Sequence, residues 1–280
     1  MIKEKKYQDW RFLQQWPESL SPGKSFYYDY CVSTGNEAAE QFTATIRLTA
    51  IVGQDGIRKG IIYERAPILG GNMNPFLELA YFSGKCFYPV QLFQKNNEWE
   101  VVNINTLNEN WRQIKEQLLL EFEGAVTASV IRQTEAVLEN PVLLGKIYDE
   151  DLFLKLYFFL IREQRATDTF FQFSLPLVPD ADAVSFKGMP SVTSIEEDLI
   201  SLSFDAECMD TRTHGALIYG KCRSASATRN ELAVKGLARF RYQLDAGTLL
   251  IKKITANIEL SEPSGAPKFW QIKINTYNYE

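Results

Sequence analysis

The chain of 280 residues contains a single histidine, His214, and this residue limits the catalytic centres that the sequence can build. One histidine excludes zinc and iron sites made from several histidines. A serine–histidine–aspartate triad would need His214 as its base, but the sequence has no Gly-x-Ser-x-Gly nucleophile motif. Neither common glycine-rich phosphate loop is present. We therefore interpret His214 as a turn residue, and we expect no catalytic residue, metal site or cofactor.

Acidic residues are the other groups that could do chemistry, because two carboxylates held across a sugar can hydrolyse a glycosidic bond. They form four clusters, and each cluster also has a structural interpretation as a helix cap, a loop or a solvent-facing strand edge. An enzyme that uses a carboxylate pair is therefore the third hypothesis for the function. The clusters are Asp149, Glu150 and Asp151; Asp180 and Asp182; Glu196, Glu197 and Asp198; and Asp205, Glu207 and Asp210.

The four cysteines, Cys31, Cys86, Cys208 and Cys222, lie far apart in the chain and show no Cys-x-x-Cys spacing. Their strand-like surroundings favour buried free thiols, although a Cys208–Cys222 bridge across one hairpin is an alternative. Residues 1–10 are charged and lack the apolar core of a secretory signal. We therefore expect a cytoplasmic protein.

The charge of the chain indicates which partners it can bind. It has 30 basic and 35 acidic residues, with a net charge of −5. A nucleic-acid-binding protein needs a basic surface, which this balance does not provide, and an anionic membrane surface is disfavoured for the same reason. The most apolar run, residues 152–161, is interrupted by Lys155 and is too short to span a bilayer. We expect another protein, or an apolar small molecule, as the partner.

Two stretches of the chain have the alternating pattern of β-strands. It is clearest in residues 42–52, where apolar side chains alternate with polar ones. Gly53 and Gly56 are predicted to supply positive φ angles for the hairpin turn that follows. Further strands are predicted in both stretches, at residues 24–32, 57–65, 77–82, 86–93, 99–104, 170–177, 216–222, 231–244, 254–260 and 270–274.

The middle of the chain, residues 106–161, has helical patterning instead. Thr106 and Glu109 have the spacing of a capping box, which predicts that the first helix begins there. Pro141 is expected to end a second helix, and a third is expected over residues 152–161. The first helix has one apolar face, formed by Leu107, Trp111, Ile114, Leu118 and Phe122.

These elements predict an α+β fold in which a helical block covers one face of a large, curved antiparallel sheet. The sheet could be a half-barrel or two packed sheets. A chain of this length can bury a sizeable core without disulfides, and no Pro- or Ser-rich linker divides it. We therefore predict a single domain, residues 1–280, made of an N-terminal arm (1–23), a first β arm (24–105), a helical plug (106–161) and a second β arm (166–280).

Aromatic and apolar residues near the helical plug are the candidate binding surface. In the structural interpretation they are ordinary core residues, and in the functional one they line a groove or a partner-binding patch. If a cavity exists between the helices and the sheet, we expect the sheet-facing side of the first helix to form its wall. The candidates are Tyr81, Phe82, Phe87, Tyr88, Trp111, Ile114, Leu118 and Phe122.

The C-terminal segment, residues 236–254, reads Gly-Leu-Ala-Arg-Phe-Arg-Tyr-Gln-Leu-Asp-Ala-Gly-Thr-Leu-Leu-Ile-Lys-Lys-Ile. This hairpin, together with the β–α–β order of the chain, resembles LolA- and LppX-like lipoprotein-carrier folds and related uncharacterised bacterial families. The resemblance implies an antiparallel sheet curled into a half-barrel, with mid-chain helices on its concave side. It also implies a lipid-carrying role, but it assigns no functional residue in this chain.

Three functions follow from these observations. The first is a non-enzymatic protein-binding module of a bacterial cell, such as an immunity protein, an adaptor or an assembly factor. The alternative is a carrier that holds a lipid or another apolar ligand within the half-barrel. The third is the carboxylate enzyme described above.

Overall fold

In a computed structural model of the chain, the structure describes residues 20–35, 40–68, 75–96, 98–162, 170–177, 182–212, 234–261 and 267–277. The chain divides into two compact units. We call them the helical unit, which contains Ser21–Asp29 and Thr43–Asp149, and the aromatic unit, which contains Tyr30–Phe42 and Glu150–Thr276. The expectation of a single domain stays a prediction.

The described strands form one eleven-stranded sheet, in the order β5-β4-β3-β2-β1-β11-β10-β9-β8-β7-β6. The pairs from β2 to β5 and from β6 to β11 are antiparallel. This confirms an α+β fold with a large antiparallel sheet, and the sheet is single rather than two packed sheets. The strands are β1 Ser25–Thr34, β2 Glu40–Val52, β3 Lys59–Ile68, β4 Val90–Lys95, β5 Glu98–Val101, β6 Phe171–Leu175, β7 Val184–Ile195, β8 Leu199–Cys208, β9 Lys235–Asp245, β10 Ile251–Ser261 and β11 Lys268–Tyr277.

Strand β2 confirms the alternation that the sequence shows. Its inward residues Ala44, Ile46, Leu48 and Ala50 are fully buried, as expected for a sheet with one solvated face. Asp55 holds the turn after β2. Its Oδ1 accepts hydrogen bonds from the backbone N–H groups of Ile57 at 2.9 Å and Arg58 at 3.0 Å. Gly56 has a positive φ of 69°, whereas Gly53 does not, so only one of the two predicted positive φ angles is found.

The described helices are α1 Pro75–Gly84, α2 Ile104–Glu121, α3 Ala125–Leu138, α4 Pro141–Asp149 and α5 Leu152–Arg162, with a short 3-10 helix, Lys85–Phe87, after α1. None of them is both long enough and apolar enough to cross a membrane. Helix α1 corrects the strand predicted at residues 77–82. The β-forming residues of this segment favoured a strand in the sequence-based prediction. The helix begins at Pro75, where a proline costs no hydrogen bond, and it buries Leu79 and Ser83, which lie four residues apart on one face.

Helix α2 begins two residues before its predicted start, and α4 is not among the predicted helices. Helix α2 starts at Ile104 rather than at Thr106, after Asn103, which caps it without a side-chain hydrogen bond. The Asn103 side chain instead accepts the Gln91 backbone N–H at 2.8 Å and donates to the Pro89 carbonyl at 3.0 Å. These bonds tie the start of α2 to the chain around β4, so the predicted capping box is not the helix start.

The second predicted helix ends before Pro141, at Leu138, as expected, but Pro141 also begins α4, which was not predicted. Asn140 lies just before it, and its Oδ1 accepts hydrogen bonds from the backbone N–H groups of Val142 at 3.1 Å and Leu143 at 3.2 Å. Asn before Pro is a common helix start, because the amide caps the first turn and proline needs no hydrogen-bond partner there. The sequence analysis missed α4 because it treated Pro141 only as a helix terminator.

Helix α5 confirms the third predicted helix, and Asp151 caps it by accepting the Leu154 N–H at 2.9 Å. In the aromatic unit this helix packs on a cluster of phenylalanine rings from the sheet. The Phe159 ring lies 4.9–6.1 Å from four of them, centroid to centroid, and the buried Tyr242 hydroxyl donates to the Leu156 carbonyl at 3.2 Å. Aromatic rings therefore fill the space between α5 and the sheet; the four are Phe171, Phe173, Phe204 and Phe240.

Asp245 organises the turn between β9 and β10. Its Oδ1 accepts hydrogen bonds from the backbone N–H groups of Gly247 and Thr248, at 3.0 and 2.8 Å, and its Oδ2 lies 2.9 Å from the Lys252 ammonium. The hydrogen bond with Lys252, followed by those with Thr248, lowers the pKa of Asp245 to about 2, against some opposition from burial.

This turn predicts a pH-dependent loss of stability. The folded-state pKa lies below the ordinary 3.8, so the ionised carboxylate stabilises the folded chain above about pH 4, and the stabilisation is lost as the pH falls towards 2. The side chain is 28% exposed, so solvent screening reduces the effect to about 1 kcal/mol. Asp245→Asn should lower the free energy of unfolding by that amount at neutral pH, measured by urea titration.

The control for Asp245 is Asp198→Asn, in an exposed turn of the same sheet, which should leave stability unchanged. The difference in the free energy of unfolding between Asp245→Asn and the wild type should become smaller when the urea titration is repeated at successively lower pH, starting from pH 5. A deficit that stays constant with pH would contradict the role given to the ionised carboxylate.

Several predictions fall outside the described residues. These are the N-terminal arm up to residue 19, the strand at residues 216–222, His214, Cys222 and Asp180.

Candidate functional site

The predicted aromatic patch lies in the helical unit, and the structure brings only part of it together. Tyr81 and Phe82 of α1 pack edge to face at 5.6 Å, and the Lys85 ammonium lies 4.3 and 4.4 Å from their ring centroids. Phe122, just after α2, approaches Phe82 at 6.3 Å. These four half-buried or exposed residues form a small cation–π cluster beside the end of α2.

Phe87 and Tyr88 belong to a different cluster. The Tyr88 ring packs against Tyr63 of β3 at 5.4 Å and against Tyr148 of α4 at 6.4 Å. The Tyr148 hydroxyl donates a hydrogen bond of 2.7 Å to the Phe87 carbonyl. This tyrosine cluster joins α4 to the sheet of the helical unit, so these two predicted patch residues have a structural role.

The predicted residues of α2 are largely core residues. Trp111 and Leu118 are buried and Ile114 is half-buried. Helix α2 packs mainly on α1, the 3-10 helix and α3, while α4 packs on β5. The apolar face of α2 therefore packs mainly on other helices, whereas the sequence predicted that it would face the sheet. Periodicity identified the face but could not identify what covers it.

A groove between α2 and α3 lies on the surface of the helical unit. At the C-terminal end of α2 it has a volume of about 450 Å³. We call this the apolar end of the α2–α3 groove. Leu119, 58% exposed, lies in it, and two cationic side chains, Lys115 and Arg132, flank it. The lining residues are Lys115, Leu119, Phe122, Glu123, Gly124, Thr127, Ala128, Ile131 and Arg132, so one carboxylate accompanies the two cations.

The groove continues towards the N-terminal end of α2 as a polar end of about 440 Å³. Lys115 belongs to both ends, and its ammonium lies 2.6 Å from Glu135 of α3. Both side chains are about one third exposed, so this ion pair contributes at most about 1 kcal/mol. It divides the groove into an apolar half and a charged half, which Glu109, Arg112 and Glu139 line.

The sequence analysis missed Leu119, Lys115 and Arg132 because it followed the buried face of α2. A usable signal was present in the run Leu118-Leu119-Leu120, since one helical face cannot bury three consecutive leucines. Leu118 is buried, Leu119 lies in the groove and Leu120 is 86% exposed outside it. Apolar residues that lie off the buried face are those that can contact a partner.

The described carboxylates match the predicted structural roles only in part: Asp151 caps α5 as predicted, whereas Asp210 is buried beside Arg212 rather than at a solvent-facing strand edge. Asp149 accepts the Trp99 N–H at 3.0 Å, and the residues around Glu197 are exposed. Asp205 pairs with Arg241 at 3.0 Å. Burial opposes ionisation of Asp210, but hydrogen bonds from Arg212 hold its pKa below the usual value. Arg212 also binds the Asp182 and Ala183 carbonyls and so fastens the start of β7.

The described cysteines, Cys31, Cys86 and Cys208, are free thiols, as predicted, but only Cys86 is buried and the other two are half-buried. Burial raises the pKa of Cys86 to about 12 and also raises that of Cys208. Neither thiol is therefore activated as a nucleophile, since the thiolate is the reactive form. Because Cys208 is free, the alternative bridge to Cys222 has no support.

Comparisons with known proteins give no family. No protein-family model matches the chain, and no curated protein matches it. Among solved structures, lipovitellin, from a study of its lipid–protein interactions, matches with 8% identity and a TM-score of 0.42 over 92% of this chain, which spans 25% of the lipovitellin chain. Rv2717c from M. tuberculosis matches with 6% identity and a TM-score of 0.28, over 93% of this chain and 94% of that one.

Both TM-scores are too low to carry an argument about fold or function. Neither structure is a LolA- or LppX-type carrier, and the resemblance to those carriers stays a prediction.

Proposed function

We propose that the chain is a non-enzymatic protein-binding module, of the immunity, adaptor or assembly-factor type, and that it binds its partner in the α2–α3 groove. The observation that carries this proposal is the position of Leu119, a largely exposed leucine inside a groove that is flanked by Lys115 and Arg132. Such a combination of apolar contact and flanking charge is typical of surfaces that receive a partner.

The shape of the groove suits a helix of the partner. The lining residues of α2 run from Asn105 to Leu119, which corresponds to roughly 21 Å along the helix axis at 1.5 Å per residue. A helix laid along α2 and α3 could place apolar residues, three or four positions apart, on Leu119 and Ile131. Within the described residues Arg132 makes no hydrogen bond or ion pair, so an acidic side chain of the partner can pair with it.

Two neighbouring leucines allow a matched test of this proposal. Leu119→Lys should reduce recovery of the partner at least tenfold, because burying a leucine in an interface contributes about 1.5–3 kcal/mol. Leu120→Lys makes the same change outside the groove and should leave recovery unchanged. The measurement is affinity purification from the cells that produce the protein, with quantitative mass spectrometry of the co-purified proteins.

A third variant, Arg132→Glu, should also reduce recovery and should make the remaining binding less sensitive to salt. A partner that is retained equally by all three variants would bind elsewhere, and the groove would be the wrong site. If no variant and no wild-type sample retains a partner, while native mass spectrometry finds a bound acyl chain, the carrier hypothesis would replace the binding module.

A further inference from the structure

A second groove lies in the aromatic unit, on the face of the sheet opposite to α5. Successive residues of a strand point to opposite faces, so the outward residues of β9 are those between the buried Ala238, Phe240 and Tyr242. The groove has a volume of about 520 Å³, within the range of small-molecule sites. We call it the sheet-face groove; its main lining residues are Leu237, Arg239, Asn257, Glu259, Phe269 and Gln271.

The strand register arranges these side chains in two rows across β9, β10 and β11. Arg239, Asn257 and Gln271 are direct neighbours in one row, and the Gln271 amide donates a hydrogen bond of 3.2 Å to Asn257. Leu237, Glu259 and Phe269 form the adjacent row. The first row is therefore polar and carries a positive charge, and the second places a carboxylate between two apolar side chains.

Arg239 has an acidic neighbour on the other side, but that residue does not pair with it. Asp205 of β8 is its register partner, yet the Asp205 carboxylate binds Arg241 at 3.0 Å. Within the described part of the chain, Arg239 and Glu259 form no hydrogen bond or ion pair through their side chains. Diagonal neighbours on adjacent strands have Cα atoms about 7–8 Å apart, so these opposite charges are near each other without being joined.

We propose that the sheet-face groove binds a zwitterionic small molecule, an amino acid or a dipeptide with an apolar side chain. Its carboxylate would bind the Arg239 guanidinium, which presents two parallel N–H donors for this purpose, and its ammonium would bind Glu259. The apolar side chain would lie against Leu237 and Phe269, which flank Glu259 in the second row. The ligand thus supplies one counter-charge to each of the two unpaired groups. This site is independent of the proposed partner groove.

The charge arrangement distinguishes this ligand from others that could fill the same space. A simple anion would pair with Arg239 but would be repelled by Glu259, and a simple cation would meet the reverse situation. A neutral sugar could use the amides and the Phe269 face, but it would not need both charges. Only a zwitterion depends on Arg239 and Glu259 together.

The first experiment uses the wild-type chain and follows the backbone amide resonances of β9, β10 and β11 in ¹⁵N–¹H spectra. Phenylalanine and leucyl-leucine, titrated to the millimolar range, should shift these resonances in a saturable manner. N-acetyl-phenylalanine, which lacks the ammonium, and phenylalanine amide, which lacks the carboxylate, should each bind at least tenfold more weakly. The proposal would be overturned if the blocked compounds bound as well as phenylalanine. It would also be overturned if only maltose, a neutral sugar, bound, or if none of these compounds bound.

The second experiment assigns the two charges to residues. Arg239→Gln and Glu259→Gln should each weaken binding of phenylalanine at least tenfold, while Lys253→Gln, which changes an exposed lysine of β10 outside the groove, should not. The doubly exchanged variant, Arg239→Glu with Glu259→Arg, should recover part of the affinity, because a zwitterion can reverse its orientation. Equal affinity in Arg239→Gln and wild type would contradict the assigned carboxylate contact.

Discussion

Replacing Phe204 with alanine is expected to lower the free energy of unfolding by about 4 kcal/mol. Phe204 lies on β8, is 1% exposed and contacts four other phenylalanine rings at centroid distances of 5.1–6.1 Å. Alanine would leave a cavity at the centre of the cluster that supports α5, and the rings around it could relax only partly. Urea titration followed by far-UV circular dichroism measures the loss.

Phe170→Ala is the matched control for Phe204. Phe170 precedes β6, is 49% exposed, and contacts the Lys187 ammonium at 4.8 Å through its ring. Loss of this exposed cation–π contact should cost less than about 1 kcal/mol. If Phe204→Ala were no more destabilising than Phe170→Ala, the ring cluster would not be the core of the aromatic unit.

The second large effect is expected at Gly188 of β7. A Cβ atom at this position would meet the Asp205 carbonyl oxygen and would lie 2.6 Å from both the Cα and the Cβ of Ala206, on the neighbouring strand β8. Gly188→Ala should therefore lower the free energy of unfolding by about 3 kcal/mol, because the two backbones must separate or the register must shift. Thermal unfolding would show this as a lowered midpoint.

Gly84→Ala provides the comparison for Gly188. Gly84 ends α1 with helical backbone angles, φ −65° and ψ −22°, and an added Cβ meets no atom within 4 Å. Alanine should leave the stability unchanged or raise it by less than about 1 kcal/mol, since glycine is the poorer helix former. Equal destabilisation by the two substitutions would show that the close approach of β7 and β8 is not the cause.

The elements that the sequence predicted correctly are those whose patterns are local. The alternation in β2 indicated which side chains are buried, and the acidic residues before α5 indicated its capped start at Asp151. The errors at α1 and α4 arose where a local signal had two meanings. The run from Leu77 to Phe82 has β-forming residues in a helix, and Pro141 can end one helix or begin another.

The two candidate sites could not be predicted from the sequence, for a different reason. Leu119 and Arg132 share a groove because α2 and α3 pack against each other, and Arg239 and Glu259 share one because of the register of β9 and β10. Of the eight predicted patch residues, Trp111 and Phe122 line the α2–α3 groove, and none of the eight lines the sheet-face groove. Both sites depend on contacts between elements, which hydrophobic periodicity does not specify.

The sequence by itself therefore determined the class of the fold, the alternation of its strands and the absence of a multi-histidine metal site. It determined these because composition and periodicity follow from each residue and its near neighbours along the chain. Only the tertiary structure decided that the strands form one sheet, that helices cover the apolar face of α2, and that Arg239 faces a groove while Arg241 is paired. These features depend on the register and docking of segments that are distant in sequence.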